Sequence, residues 1–232
     1  MTFMSILAAI VTFASGTLGD TIHSRNGSGP YTRPFVVPTD PNTQRQARIR
    51  TKFSLISQQW AATLTKDQRA AWATYAANVQ VPSVSGRPQF LTGQQMFIRC
   101  NMPRRRPVAF SIRDAPIIFN HGEFSTPTVE TIQFVDLILV LFTGDDAWQN
   151  EDGAFMLIQV SDGQSDGTKF FAGPFRFAGA IAGSATTPPI GVDTLFDPFT
   201  PHADGPRWAR VRVARSDGRL SPARIFEFLP LP

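Results

Sequence analysis

The chain has 232 residues, 42% of them apolar and 17% charged. That supplies enough material for a core and excludes a disordered polyelectrolyte; the lack of any run of about 18 apolar residues excludes a multi-span membrane protein. Abundant proline (19), glycine (17) and phenylalanine (20) favour short strands joined by turns over long helices.

The net charge of +4 hides an asymmetry. Residues 1–106 hold 13 Lys or Arg against three acids, Asp20, Asp40 and Asp67, whereas residues 107–232 hold nine against 15. Opposite signs predict two regions with different surroundings. A basic half can face nucleic acid, an acidic protein lattice or the acidic half of a second copy. Only three of the 22 basic residues are lysine. Arginine suits forked contacts to carboxylate and phosphate, and a GC-rich genome gives the same bias.

Residues 3–14 are apolar enough to resemble a signal-peptide core, but no Lys or Arg precedes them. The preferred reading is an N-terminal strand or arm that buries against something. Residues 1–38 are expected to form an extended arm and β-hairpin. Asn26-Gly27-Ser28-Gly29 would be the turn, and Pro34 marks an edge or irregular strand.

Residues 39–106 are expected to be helical and basic. Asp40 and Pro41 predict the start of a first helix. Ile49, Phe53, Ile56, Trp60 and Leu64 share one face of it, opposite Arg45, Arg48 and Lys52. Thr65-Lys66-Asp67-Gln68 is a capping box that opens a second helix, with Trp72, Tyr75, Ala76 and Val79 on one face. The pair reads as a helical hairpin, whose expected core includes Phe53, Trp60, Trp72 and Tyr75. After a loop over 82–88, Thr92-Gly93-Gln94-Gln95 opens a short third helix with Met96, Phe97 and Cys100 inward. Pro103 is expected to stop it. Arg104, Arg105 and Arg106 follow, as a solvated linker or as a contact to phosphate or a partner's acids. The lone Cys100 excludes an internal disulfide and reads as a core residue.

From residue 107 the pattern turns to period two. Strands are expected over 129–135, 137–142, 154–160, 170–177, 208–214 and 224–229, with Gly- and Asp-rich turns between them. Six or seven short strands in this length predict a β-sandwich over 107–232, with Trp148 and Trp208 in its core. The fold class expected is therefore α+β and multi-domain. His23, His121 and His202 are too far apart for a zinc motif. There is no phosphate loop, dinucleotide fingerprint or nucleophile elbow. Asp145, Asp146, Glu151 and Asp152 lack the spacing of a calcium loop and read as a solvated tip. No catalytic, cofactor or metal constellation emerges, so the reading is that the protein is not an enzyme.

Two stretches carry a resemblance. The first opens with Ser15-Gly-Thr-Leu-Gly-Asp-Thr-Ile-His-Ser-Arg-Asn-Gly27, then Tyr31-Thr-Arg-Pro34 and Pro38-Thr-Asp-Pro-Asn-Thr43. It continues through Trp60, Leu64-Thr65, Gln68-Arg69 and Trp72 to Gly86 and Leu91-Thr-Gly-Gln-Gln-Met-Phe-Ile-Arg-Cys-Asn101. Over roughly residues 15–102 it resembles a family of uncharacterised tailed-bacteriophage virion proteins. The second, Trp208-Ala-Arg-Val-Arg-Val-Ala-Arg-Ser-Asp-Gly-Arg-Leu-Ser-Pro222, is similar to the F strand, turn and G strand of fibronectin type III or immunoglobulin-like modules, without the paired cysteines of antibody domains.

The resemblance implies a structural virion component, in capsid decoration, a minor capsid position, the head–tail junction or the tail. Its basic half would dock on other virion proteins, as a homo-oligomer in the assembly, with Arg25, Arg33, Arg45, Arg48, Arg104, Arg105 and Arg106 as docking residues. The acidic sandwich would project outward. No cofactor and no membrane are expected. The alternatives are a nucleic-acid-binding module, resting on the basic charge, and a secreted carbohydrate-binding or adhesion protein, resting on the sandwich and the apolar N-terminus.

Overall fold

A computed structural model describes residues 15–26, 29–37, 39–82, 88–107, 111–131, 137–142, 146–199 and 205–228. The chain divides into two compact units, Met1–Gln46 and Ala47–Pro232. The protein combines helices with antiparallel sheets, an α+β architecture. The arm expected over 3–14 and the hairpin turn at 27–28 lie outside the described residues.

In the first unit, β1 (Gly16–Leu18), β2 (Thr21–Asn26) and β3 (Gly29–Pro34) form a three-stranded antiparallel sheet in sequential order. Gly29 opens β3 at φ 120°, a conformation L-residues avoid. Between Ser15 and Gln46, no residue whose burial is described is buried. The first helix, α1 (Gln44–Gln58), begins three residues later than the sequence suggests. The Asp40 carboxylate accepts from Asn42 N–H instead of capping the helix. Thr43 does the capping: its Oγ1 accepts from Gln46 N–H, and Gln46 Oε1 accepts from Thr43 N–H.

In the second unit, α1 widens into a π-turn over Gln59–Thr63, where Leu64 N–H donates to Gln59 O. Helices α2 (Lys66–Asn78) and α3 (Gly93–Arg104) both start at the expected capping boxes, Thr65/Gln68 and Thr92/Gln95. A Cβ on Gly93 would lie 2.8 Å from Ala73 N, so glycine lets α3 touch the α2 backbone. A ribbon of β4 (Val81–Pro82) and β5 (Pro88–Gln89) joins these helices. The helix α3 continues through Pro103 to Arg104 instead of stopping before it. Ile56, Leu64, Trp72, Tyr75, Ala76, Met96, Phe97 and Cys100 are buried as expected, with Trp60 packed against them. Phe53 and Ile49, on the same face of α1, are the exceptions, 51% and 40% exposed.

The strands that follow are β6 (Thr128–Thr131), β7 (Leu137–Phe142), β8 (Phe155–Val160), β9 (Arg176–Ala182), β10 (Gly191–Phe196), β11 (Arg207–Ala214) and β12 (Arg224–Phe228). They make two antiparallel sheets, β10-β7-β6 and β12-β11-β8-β9. One core lies between the sheets: Val129, Ile138 and Val140 meet Met156, Ile158, Val160, Ala209, Val211 and Val213, with Trp148 among them. The central strands β8 and β11 are buried on the sheet's other face too. Phe155, Leu157, Ala214 and Leu220 join the helical core of Ile56, Trp72 and Phe97. Alternation along β11 therefore sends Trp208 to the helix-facing side, away from Val211 and Val213. It is buried, but it does not belong to the core between the sheets. The boundary expected at residue 106 does not separate two bodies, since helices and sheets share a core inside one compact unit.

An extended run over 111–120 is strapped to the helices by side chains. Asn101 Nδ2 donates to Ile112 O at 3.2 Å and its Oδ1 accepts from Ile112 N–H at 2.7 Å, as a neighbouring strand would. Trp72 Nε1 donates to Arg113 O, Gln68 Nε2 to Asp114 Oδ1, and Tyr75 Oη to Asn120 O. Burial pushes the Tyr75 phenol well above its usual range. Asn101→Ala leaves the half-buried Ile112 backbone groups without these partners and should destabilise the protein by about 1–3 kcal/mol in urea unfolding. The exposed Asn78→Ala should change it by no more than about 0.5 kcal/mol.

Candidate functional site

The seven arginines singled out from the sequence do not form one patch. Arg25 pairs with Pro30 across β2 and β3, and Arg33 with Ile22. Ile22 and Arg25 are three positions apart on β2, so the two arginines sit on opposite faces of their sheet. Both are exposed, as are Arg45 and Arg48 on α1.

The triplet Arg104–Arg106 diverges. Arg104 is buried, donating from Nη1 to Arg215 O and from Nη2 to Gly153 O, each at 2.9 Å, with its guanidinium over the Phe155 ring. Burial lowers its pKa, partly offset by Glu151 and Asp217. It ties the end of α3 to two loops of the sheets and is not available for docking. The Arg105 carbonyl accepts from Lys52 Nζ at 3.1 Å. Arg106 stacks on Phe177, with Cζ 4.9 Å from the ring centroid.

Arg106 turns toward a cavity of about 150 Å³ between the helices and the helix-facing side of the four-stranded sheet. Four cations line it: Lys52 from α1, Arg106 after α3, and Arg210 and Arg212 from β11. No described acid does. The sequence analysis missed Arg210 and Arg212 because they belong to the acidic half of the chain. The readable signal was their spacing, two arginines at alternate positions in the stretch Ala209–Ala214, otherwise Ala and Val, which places both on one face.

The other ionisable groups are accounted for by structure. Asp197 and Arg207 form a fully buried pair, with Arg207 Nη2 donating to Asp197 Oδ1 at 2.9 Å and Nε to Ser161 O. The acids expected at a solvated tip are clamps: Asp146 accepts from Ser125 N–H and Trp148 Nε1, Glu151 pairs with Arg215 and Ser216, and Asp152 accepts from Ala185 N–H. Asp145 and His202 lie outside the described residues. Among the described residues no three His, Cys, Asp or Glu stand together as metal ligands, and no helix is long and apolar enough to cross a membrane. The Cys100 thiol is buried and pushed up to about 11, chiefly by desolvation. The chain matches no protein-family model, and no curated protein matches it significantly.

Arg104→Ala should lower stability by about 2 kcal/mol or more, because the Gly153 carbonyl loses its donor and the Arg215 carbonyl one of its two, the other being Gly218 N–H. Arg48→Ala should stay within about 0.5 kcal/mol. An aromatic disulfide reagent should leave Cys100 unmodified in the native protein and label it along the urea unfolding curve.

Proposed function

We propose that this chain is a non-enzymatic structural component of a bacteriophage virion, docking through its basic N-terminal half and displaying a β-sandwich. The observation that carries the reading is the exposed N-terminal sheet. A three-stranded sheet gains independent stability from a packed apolar face, yet β1–β3 bury no residue whose burial is described. Leu18 is 69% exposed, Val37 73%, and Tyr31, Phe35 and Val36 stand open beside them. Apolar surface of this kind, interleaved with Arg25 and Arg33, suits addition to a protein lattice. Many weak copies of the contact then add through multivalency.

The displayed part is read as a fibronectin type III or immunoglobulin-like module. Its support is the strand order. Taking β6 to β12 as A, B, C, C′, E, F and G gives one sheet of A, B and E and another of G, F, C and C′. β11 then holds the F place within the run from Trp208 to Pro222, and β12, which follows that run, the G place. Nucleic-acid binding is the weaker reading, because Arg25 and Arg33 face opposite ways and Arg104 is inside, so these arginines do not form one basic stripe.

The test is to purify particles carrying Arg25→Glu, Arg33→Glu or both. Because each arginine serves one face of the sheet, at least one single substitution should reduce incorporation by about tenfold, more at raised salt. Particles that take up the doubly reversed protein at the normal level would refute the reading.

A further inference from the structure

The cationic cavity has a feature that packing alone does not account for. Arg212 enters from β11 with its Nε buried and without a hydrogen-bond partner. Arg210 is held beside it: its Nε and Nη2 both donate to Gln159 Oε1, at 2.8 and 2.5 Å, and its guanidinium lies 4.9 Å from the Phe175 centroid. Gln159 is neutral, so it fixes the orientation of Arg210 without cancelling the charge. Lys52 bonds a backbone carbonyl, again a neutral partner. Burial together with the charges of Arg99 and Arg210 pushes Arg212 down to about 10, and burial alone lowers Arg210. No acid contributes to either shift. Like charges gathered in a half-buried space repel, and a bound counter-charge would relieve that repulsion.

The remaining wall is apolar: Ile49, Met102, Leu157 and Phe177. A volume of about 150 Å³ equals that of cavities that take a benzene-sized guest. Guanidinium groups favour forked contacts to carboxylate and phosphate oxygens. We propose that this cavity is a binding site for a small oxyanion, a carboxylate or phosphate, carried on an apolar group. Arg212 and Arg210 would hold the oxygens, with Lys52 supplying a further positive charge. The apolar group would lie against Leu157 and Phe177. The site is independent of the virion reading, since it uses none of the N-terminal sheet.

Calorimetric titration of the full chain at low salt, with benzoate, phenyl phosphate and the neutral benzamide, tests the proposal. Saturable one-to-one binding of benzoate or phenyl phosphate, with benzamide at least about tenfold weaker, is expected. Whichever anion binds more tightly identifies the preferred oxyanion. Arg212→Gln should weaken the better ligand by about tenfold or more, and the exposed Lys169→Gln should not change it. Lys52→Gln, on the half-exposed side, repeats the comparison if Arg212→Gln lowers folding, and should weaken binding by several-fold. Absence of saturable binding by either anion, equal binding of benzamide, or an unchanged affinity in the folded Arg212→Gln or Lys52→Gln protein would overturn it.

Discussion

The structure depends on the two central strands of one sheet being buried on both faces. In β8 every residue except Gln159 is buried, and in β11 only Arg210 and Arg212 are not. Met156, Ile158 and Val160 pack toward the other sheet, while Phe155 and Leu157 pack toward the helices. A sheet covered on two sides reads as a continuous apolar run rather than an alternation, and the sequence Phe155-Met-Leu-Ile-Gln-Val160 has that form. The helices therefore complete the hydrophobic layer of the sheet and do not stand apart as a base for it. The straps from Trp72, Tyr75, Gln68 and Asn101 to the run over 111–120 reinforce this join.

Double-sided burial also explains where the charges sit. The three residues of β8 and β11 that are not fully buried, Gln159, Arg210 and Arg212, lie together at the cavity. There Lys52 and Arg106 from the basic half meet two arginines from the acidic half. The charge asymmetry along the chain thus does not map onto two separate bodies. The asymmetry of the acidic half is moderated further by internal pairing, with Asp197, Glu151 and Asp217 each bound to an arginine of the same half.

Local signals were the legible ones. The threonine capping boxes at Thr65 and Thr92 and the spacing of Ile56, Trp72, Tyr75, Met96 and Phe97 identify helices and their inner faces directly. Spacing names a face but not what covers it, and this is why Phe53, in phase with Ile56, is open. In the β region the expected strand over 170–177 is displaced to β9, a stretch rich in Ala and Gly with low strand propensity. A Cβ on Gly179 would approach Leu195 Cδ2 to 2.6 Å, so a larger residue there would have to displace the end of the Leu195 side chain. β10 was not anticipated, since its outward Val192 and Phe196 and its central Asp193 follow a proline pair that reads as a turn. The side to which Trp208 points depends on pairing between β11 and β8, a tertiary fact. The cavity escaped for the same reason: Lys52, Arg106 and Arg210 are neighbours only through the contact of α1 and α3 with the sheet.

The central claim is that helices and sheets form one cooperative body around the two-faced sheet. Native-state hydrogen exchange across a denaturant series tests it most directly. The account predicts that the most protected amides of α2 and α3 open with the same free energy and the same denaturant slope as those of β8 and β11. Leu157→Ala should lower both sets together. Helix amides that open at a distinctly lower free energy, while β8 and β11 remain closed and insensitive to them, would contradict it.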